Sequence, residues 1–161
     1  MALAAYLSLT AERQGPILGS VTQKGREGKI LVIATRHELV APRDPQSGIP
    51  TGKRMHKPFI VTKELDRSSP LLYGIHCTNE NLRDARIDFW TATPTGQEKQ
   101  HYTVRLTNAN ISAISFKLAN IRNPKLVRLS EYEEISFTYE KIEWTWNDGG
   151  ITACDDWETP R

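Results

Sequence analysis

Two long stretches of alternating and β-branched residues constrain this chain more than anything else in it: Tyr102 to Leu118 (YTVRLTNANISAISFKL) and Ile135 to Trp146 (ISFTYEKIEWTW). Successive side chains of an extended strand point to opposite faces, so such stretches fold as half-buried strands that need antiparallel neighbours. Arg86 to Thr93 (RIDFWTAT) precedes them, with a turn at Pro94-Thr95-Gly96, and Asn108 is a candidate for a bend. The first residues alternate as well, with Leu3, Ala5, Leu7 and Leu9 set against Tyr6, Ser8 and Thr10; they form a strand rather than a secretory leader, which would carry a basic start. A Gly15-Pro16 turn signal follows, and then Ile30 to Thr35 (ILVIAT) and the short Phe59 to Thr62 complete a count of six to eight strands. That pattern calls for an antiparallel barrel or sandwich. At 161 residues the chain has the length of one domain.

Ser68-Ser69-Pro70 is a helix start, with a hydroxyl N-cap and proline at the first helical position. A short helix over about 69–78 runs through Leu71, Leu72, Tyr73, Ile75 and Cys77 before Thr78-Asn79-Glu80-Asn81 breaks the pattern. Between the second and third strands lies a loop over 40–57 (VAPRDPQSGIPTGKRMHK) with three prolines and no periodicity. Loops of that length in compact domains usually carry function, and this one is long enough to touch another molecule.

In the last strand Ile135, Phe137 and Tyr139 occupy odd positions, whereas Ile142, Trp144 and Trp146 occupy even ones. The apolar face therefore changes near Glu140-Lys141. Either a β-bulge restores the register there, or half of the strand faces the core while the other half offers its tryptophans to a partner.

The chain holds no recognisable chemistry. Its four histidines share no ligand spacing, and Cys77 and Cys154 stand far apart, as thiols made in a reducing compartment do. No metal, cofactor or catalytic motif is present, and Gly25 to Gly28 (GREG) is a turn rather than a phosphate cradle. His56 is expected to be a solvated loop residue, or else a polar contact. The doublets Glu133-Glu134 and Asp155-Asp156 cannot converge from adjacent strand positions and are expected to be solvated charge. With 21 Lys and Arg against 19 Asp and Glu, the net charge of +2 is too balanced for a nucleic-acid coat. No run approaches the roughly 18 apolar residues that span a bilayer, so direct membrane insertion is not expected. The charge is lopsided, however. Arg36 to Lys57 carries five bases against two acids, and Glu131 to the end carries nine acids against two bases, an arrangement suited to head-to-tail association.

Three blocks, REGKILVIA (Arg26 to Ala34), TGKRMHKPFIVTKELDRSSPLLY (Thr51 to Tyr73) and YEEISFTYEKIEWTWNDGG (Tyr132 to Gly150), resemble the haemolysin-coregulated protein (Hcp) family, the tube proteins of bacterial type VI secretion. The resemblance runs from about residue 3 to residue 158. It implies one small antiparallel β-barrel over 1–161, with one short flanking α-helix and a long extended loop. It further implies homohexameric rings stacked into the inner tube of a contractile machine, with sheath, baseplate and spike as partners and effectors carried and chaperoned in the lumen. Such a protein is made in the cytoplasm, secreted without a signal peptide, and is not an enzyme. The chain is expected to have no room for a fused toxin after the Asp148-Gly149-Gly150 turn. Carried onto the extended loop, the resemblance nominates Arg43, Asp44, Lys53, Arg54 and His56 as ring or protomer contacts, with Trp144 and Trp146 divided between core and interface. The competing reading is a monomeric β-barrel that binds a small ligand.

Overall fold

The computed structural model describes residues 2–157. Its strands are β1 (Ala2–Ala11), β2 (Gly15–Ile17), β3 (Ile30–Val32), β4 (Ala34–Arg36), β5 (Leu39–Val40), β6 (Met55–His56) and β7 (Phe59–Glu64), followed by helix α1 (Ser69–Thr78). After it come β8 (Leu82–Ala92), β9 (Glu98–Lys117), β10 (Tyr132–Trp146) and β11 (Ile151–Asp156). The fold is mainly β, and its strands pair antiparallel in the order β2-β1-β8-β9-β10-β7-β4, with β11 on β10 and β3 on β1.

The mainly β class expected from sequence holds, but the sheet does not close into a continuous barrel. Its ladder does not join strand to strand all the way round; one segment, split into β3 and β4, bridges the gap. Ala5, Tyr6 and Leu7 pair with β3, while Thr62, Val61 and Ile60 of β7 pair with β4, and the amide of Ile33 between the two halves donates to Thr62 O at 2.9 Å. Alternation sends Leu7, Ile30, Val61, Ile87, Leu106, Ile135 and Phe137 inward, where each is almost or wholly removed from solvent. Helix α1 adds Leu72 and Ile75 to the same core.

The switch of face in β10 is real, but no bulge lies at Glu140-Lys141. The ladder with β9 passes over Asn108 and Glu140 and keeps one-to-one register on either side. Buried positions change phase in both strands there, from Leu106 to Ala109 and from Tyr139 to Ile142. Asn108 absorbs the distortion with a left-handed φ of 50°, which asparagine tolerates better than most residues, and its amide donates to Glu140 at 2.8 Å. The register shift of this pair lies instead between Ser136 and Phe137.

The helix keeps its expected bounds but not its expected cap. Ser68 sits in right-handed helical backbone and its hydroxyl is engaged by Asp66, so it makes no side-chain cap. Gly15-Pro16, read as a turn, opens the short strand β2. Glu133, read as solvated, is fully buried opposite Lys63, itself fully buried. The Lys63 amine reaches Glu133 at 2.6 Å, Ser69 Oγ at 3.0 Å and Asp66 at 3.1 Å, the mutual neutralisation that charges in an apolar interior require. Among the described residues no helix is long and apolar enough to cross a membrane.

Candidate assembly surface

The loop over 40–57 is not structureless. Strands β5 and β6 pair at its base, Leu39 with His56 and Val40 with Met55, so the chain leaves and returns as a hairpin arm. Near the tip Arg43 and Pro50 form a further bridge. Asp44 organises the turn. Its carboxylate accepts from Ser47 Oγ at 2.7 Å and from the Gln46 amide at 3.1 Å, while Gly48, at φ 71°, donates its amide to Asp44 O at 2.8 Å. The Ser47 hydroxyl, more than the Gln46 amide, holds the Asp44 carboxyl below its ordinary range. Arg43 donates to Gly48 O at 3.1 Å and remains exposed, as do Lys53 and Ile49. Among the described residues Lys53 makes no ion pair.

The arm is fastened where it re-enters the body. The Arg54 guanidinium forks onto Asp155, Nε to Oδ2 at 2.5 Å and Nη2 to Oδ1 at 2.8 Å, and reaches Asp156 O at 3.3 Å. His56 is no solvated loop residue. Its side chain is 1% exposed, held by Asp155 Oδ2 at Nε2 (2.7 Å) and by the Tyr139 hydroxyl at Nδ1 (2.7 Å), and stacked on Trp157 at 5.8 Å. The same hydroxyl contacts His37 Nε2 at 2.8 Å. Asp155, read as solvated, is thus buried at the junction of arm and β11.

The charges of this junction shift as their surroundings dictate. Arg54 holds the Asp155 carboxyl below its ordinary range, against the cost of burial and with help from His56, and Asp155 in turn raises Arg54. Burial, and then the charge of Asp155, pushes the Tyr139 hydroxyl upward. Burial, and then the charge of His56, lowers His37.

Of the contact candidates, Arg43, Asp44 and Lys53 belong to the outer arm, whereas Arg54 and His56 face back into their own chain. Basic arm and acidic end, expected to complement each other between copies, meet in part within one chain through Arg54 and Asp155. Trp144 is partly buried against the core. Trp146 is 44% exposed, edge-on to His101 at 5.8 Å and paired in register with Ile151, which is 69% exposed. Sequence reasoning missed two other anchors. Tyr139 carries the shared hydroxyl. Arg26, 6% exposed within the GREG turn, binds Glu98 and the Tyr6 hydroxyl and lies 3.8 Å from the centre of the Trp90 ring. The first was hidden by its apolar alternation, the second by its glycine neighbours.

A second surface lies beside β3 and β4. Leu31 and Ile33 point outward, 42% and 51% exposed, and with Leu3, Phe89, Trp90 and His101 they line an open groove of about 560 Å³. Among the described residues no cluster of three or more His, Cys, Asp or Glu is arranged to hold a metal ion.

An arm held by a buried cluster on a nearly closed β roll is one arrangement among many, but residues 6–146 also match the family described as type VI secretion system effector, Hcp. The chain belongs to that family. It is 37% identical over 169 aligned residues to the major exported protein of Pseudomonas aeruginosa, covering 99% of this chain and 98% of that one. Among solved structures, one described as Hcp protein superposes with a TM-score of 0.90 at 27% identity, covering 98% of this chain and 99% of the other. A variant of Hcp1 from E. coli EAEC 042 gives 0.85 at 34% identity, covering 96% and 99%. These Hcp structures are matched over almost their whole lengths, so arm and roll both fall within the shared fold.

Proposed function

We propose that this chain is a tube subunit of a type VI secretion system: a homohexameric ring that stacks on others, leaves the cell when the sheath contracts, and carries and stabilises effectors in its lumen. The observation that carries the reading is the outer arm, whose Arg43 and Lys53 are exposed beyond a base locked by Arg54, His56 and Asp155. A rigidly rooted, charged projection suits contacts between rings, and the apolar strip of Leu31 and Ile33 suits the tighter contacts within one. Export is the property named for the Pseudomonas relative, and here it is part of the proposal. The rival reading of a ligand-binding barrel is disfavoured, because the interior is filled by fully buried side chains such as Leu7, Leu106 and Phe137.

Exposed ion pairs contribute about 0–1 kcal/mol each and are screened by salt, so stacking should weaken at high ionic strength while the ring persists. Native mass spectrometry of the purified chain, with electron microscopy across a salt series, tests this. Six-subunit species with salt-sensitive stacks are expected; a monomer at micromolar concentration overturns the reading. A secretion assay in strains with and without a working sheath tests export itself.

A further inference from the structure

Tyr139 offers a single hydroxyl to two imidazoles, and the protons of that cluster can be counted. The Asp155 carboxylate can only accept, so His56 donates to it from Nε2. With His56 neutral, its Nδ1 is then an acceptor and takes the Tyr139 proton, which leaves the hydroxyl oxygen to accept from His37 Nε2. Every hydrogen bond is made while both rings are neutral. One added proton is tolerated. If it settles on His56, the hydroxyl turns to donate to His37, whose proton moves to Nδ1, and the new imidazolium lies against Asp155. A second added proton is not. Two N–H groups would then point at one oxygen whose own proton has no acceptor between them, and two cations would lie within two hydrogen-bond lengths of each other.

Among the described residues the surroundings do not relieve that conflict. Arg54 adds positive charge beyond Asp155, and Asp155 is already forked by it. Asp156 is held in the β10 ladder opposite Lys141, with its backbone carbonyl accepting from Arg54, and Glu140 beside Tyr139 takes the Asn108 amide. Lys57 and Glu38, which flank His56 and His37 in sequence, neutralise each other at 3.1 Å, and Arg36 precedes His37. Among the described residues the rings also meet aromatic neighbours: Phe59 at 5.1 Å from His37 and Trp157 stacked on His56.

We propose that the His37–Tyr139–His56 cluster is a pH-sensitive latch, closed when the two imidazoles carry at most one proton in excess and released, freeing the arm from β10 and β11, when both are charged. Burial already opposes charge on His37, and the charge of His56 opposes it further. His37 is lowered in the folded chain, so the unfolded or released form binds the extra proton more readily. Docking is complete above the ordinary imidazole value of about 6.5 and is lost as pH falls through it towards the lowered value. The latch regulates the same arm on which the proposed function rests, but its opening is measurable in the lone chain.

The test is amide hydrogen exchange over residues 39–56, corrected for intrinsic rates, at pH 7.5 and pH 5, with β9 and β10 as internal controls. In the wild type the arm should exchange at least about tenfold faster at pH 5, the factor equal to one pKa unit, while β9 and β10 stay protected. In His37→Gln, whose amide still donates to the hydroxyl but takes no proton, that contrast should fall below about threefold. Tyr139→Phe, which removes the shared atom, should leave the arm fast-exchanging at both pH values. An unchanged wild-type arm, a His37→Gln variant with the full contrast, or loss of protection in arm and core together overturns the latch. An arm that opens with acid while ring stacking is indifferent to pH upholds the latch and counts instead against the arm as the stacking element.

Discussion

The molecule buries charge in two places, and the two are built differently. Beneath α1, Lys63 and Glu133 are 0% exposed and face each other across β7 and β10, with Ser69 and Asp66 completing the shell. At the arm, Arg54 and Asp155 remain partly open at 24% and 11% side-chain exposure, and two imidazoles take part. The first cluster joins elements that never need to separate. The second joins a projecting hairpin to the body through a shared hydroxyl and two imidazoles, so it can be strong without being permanent. A buried pair in a sheet interior is a fixture, whereas a half-buried one with histidine is a fitting that conditions can undo.

Breaking the first cluster should have the largest effect. Glu133→Ala removes the nearer of the two carboxylates on the buried Lys63 ammonium, leaving Asp66, and should lower unfolding free energy by about 3 kcal/mol in urea titration, whereas Lys63→Met with Glu133→Leu should be nearly neutral or stabilising. If the single and double variants are equally damaged, the pair is not a charge fixture. Removing the Tyr139 hydroxyl comes next. Tyr139→Phe deprives two imidazole nitrogens of their partner and should cost about 1–3 kcal/mol by the same titration. Acidification from pH 7 towards pH 5 should lower stability through His37, whose pKa is lower in the folded chain; a wild-type slope equal to that of His37→Gln would remove His37 from the account. The smallest effect on folding belongs to Lys53→Glu at the exposed arm, within about 0.5 kcal/mol of wild type by thermal melting, with stacking of rings reduced in electron micrographs.

How far these clusters were legible in the sequence depends on their neighbours. Phe59 and Val61 set the inward phase of β7, and Ile135 and Phe137 that of β10, so Lys63 and Glu133 were marked as inward by alternation alone. Charge composition argued the other way, and position prevailed. The helix and the long strands were readable because their periodicity is undiluted. Strand β11 was not, since ITACDD offers little apolar alternation, and with β11 unseen the partner of Arg54 and His56 had no place. The arm read as loop because its two-residue strands are too short to leave a pattern and gain order only from the cluster at its root.

The split segment of β3 and β4 has a mechanical consequence. It clasps the sheet through three paired residues on each side, against fourteen between β9 and β10. Load applied across the sheet meets fewer paired residues at that seam than along the long ladders, so in a pulling experiment on the lone chain the clasp is expected to part before β9 and β10 do.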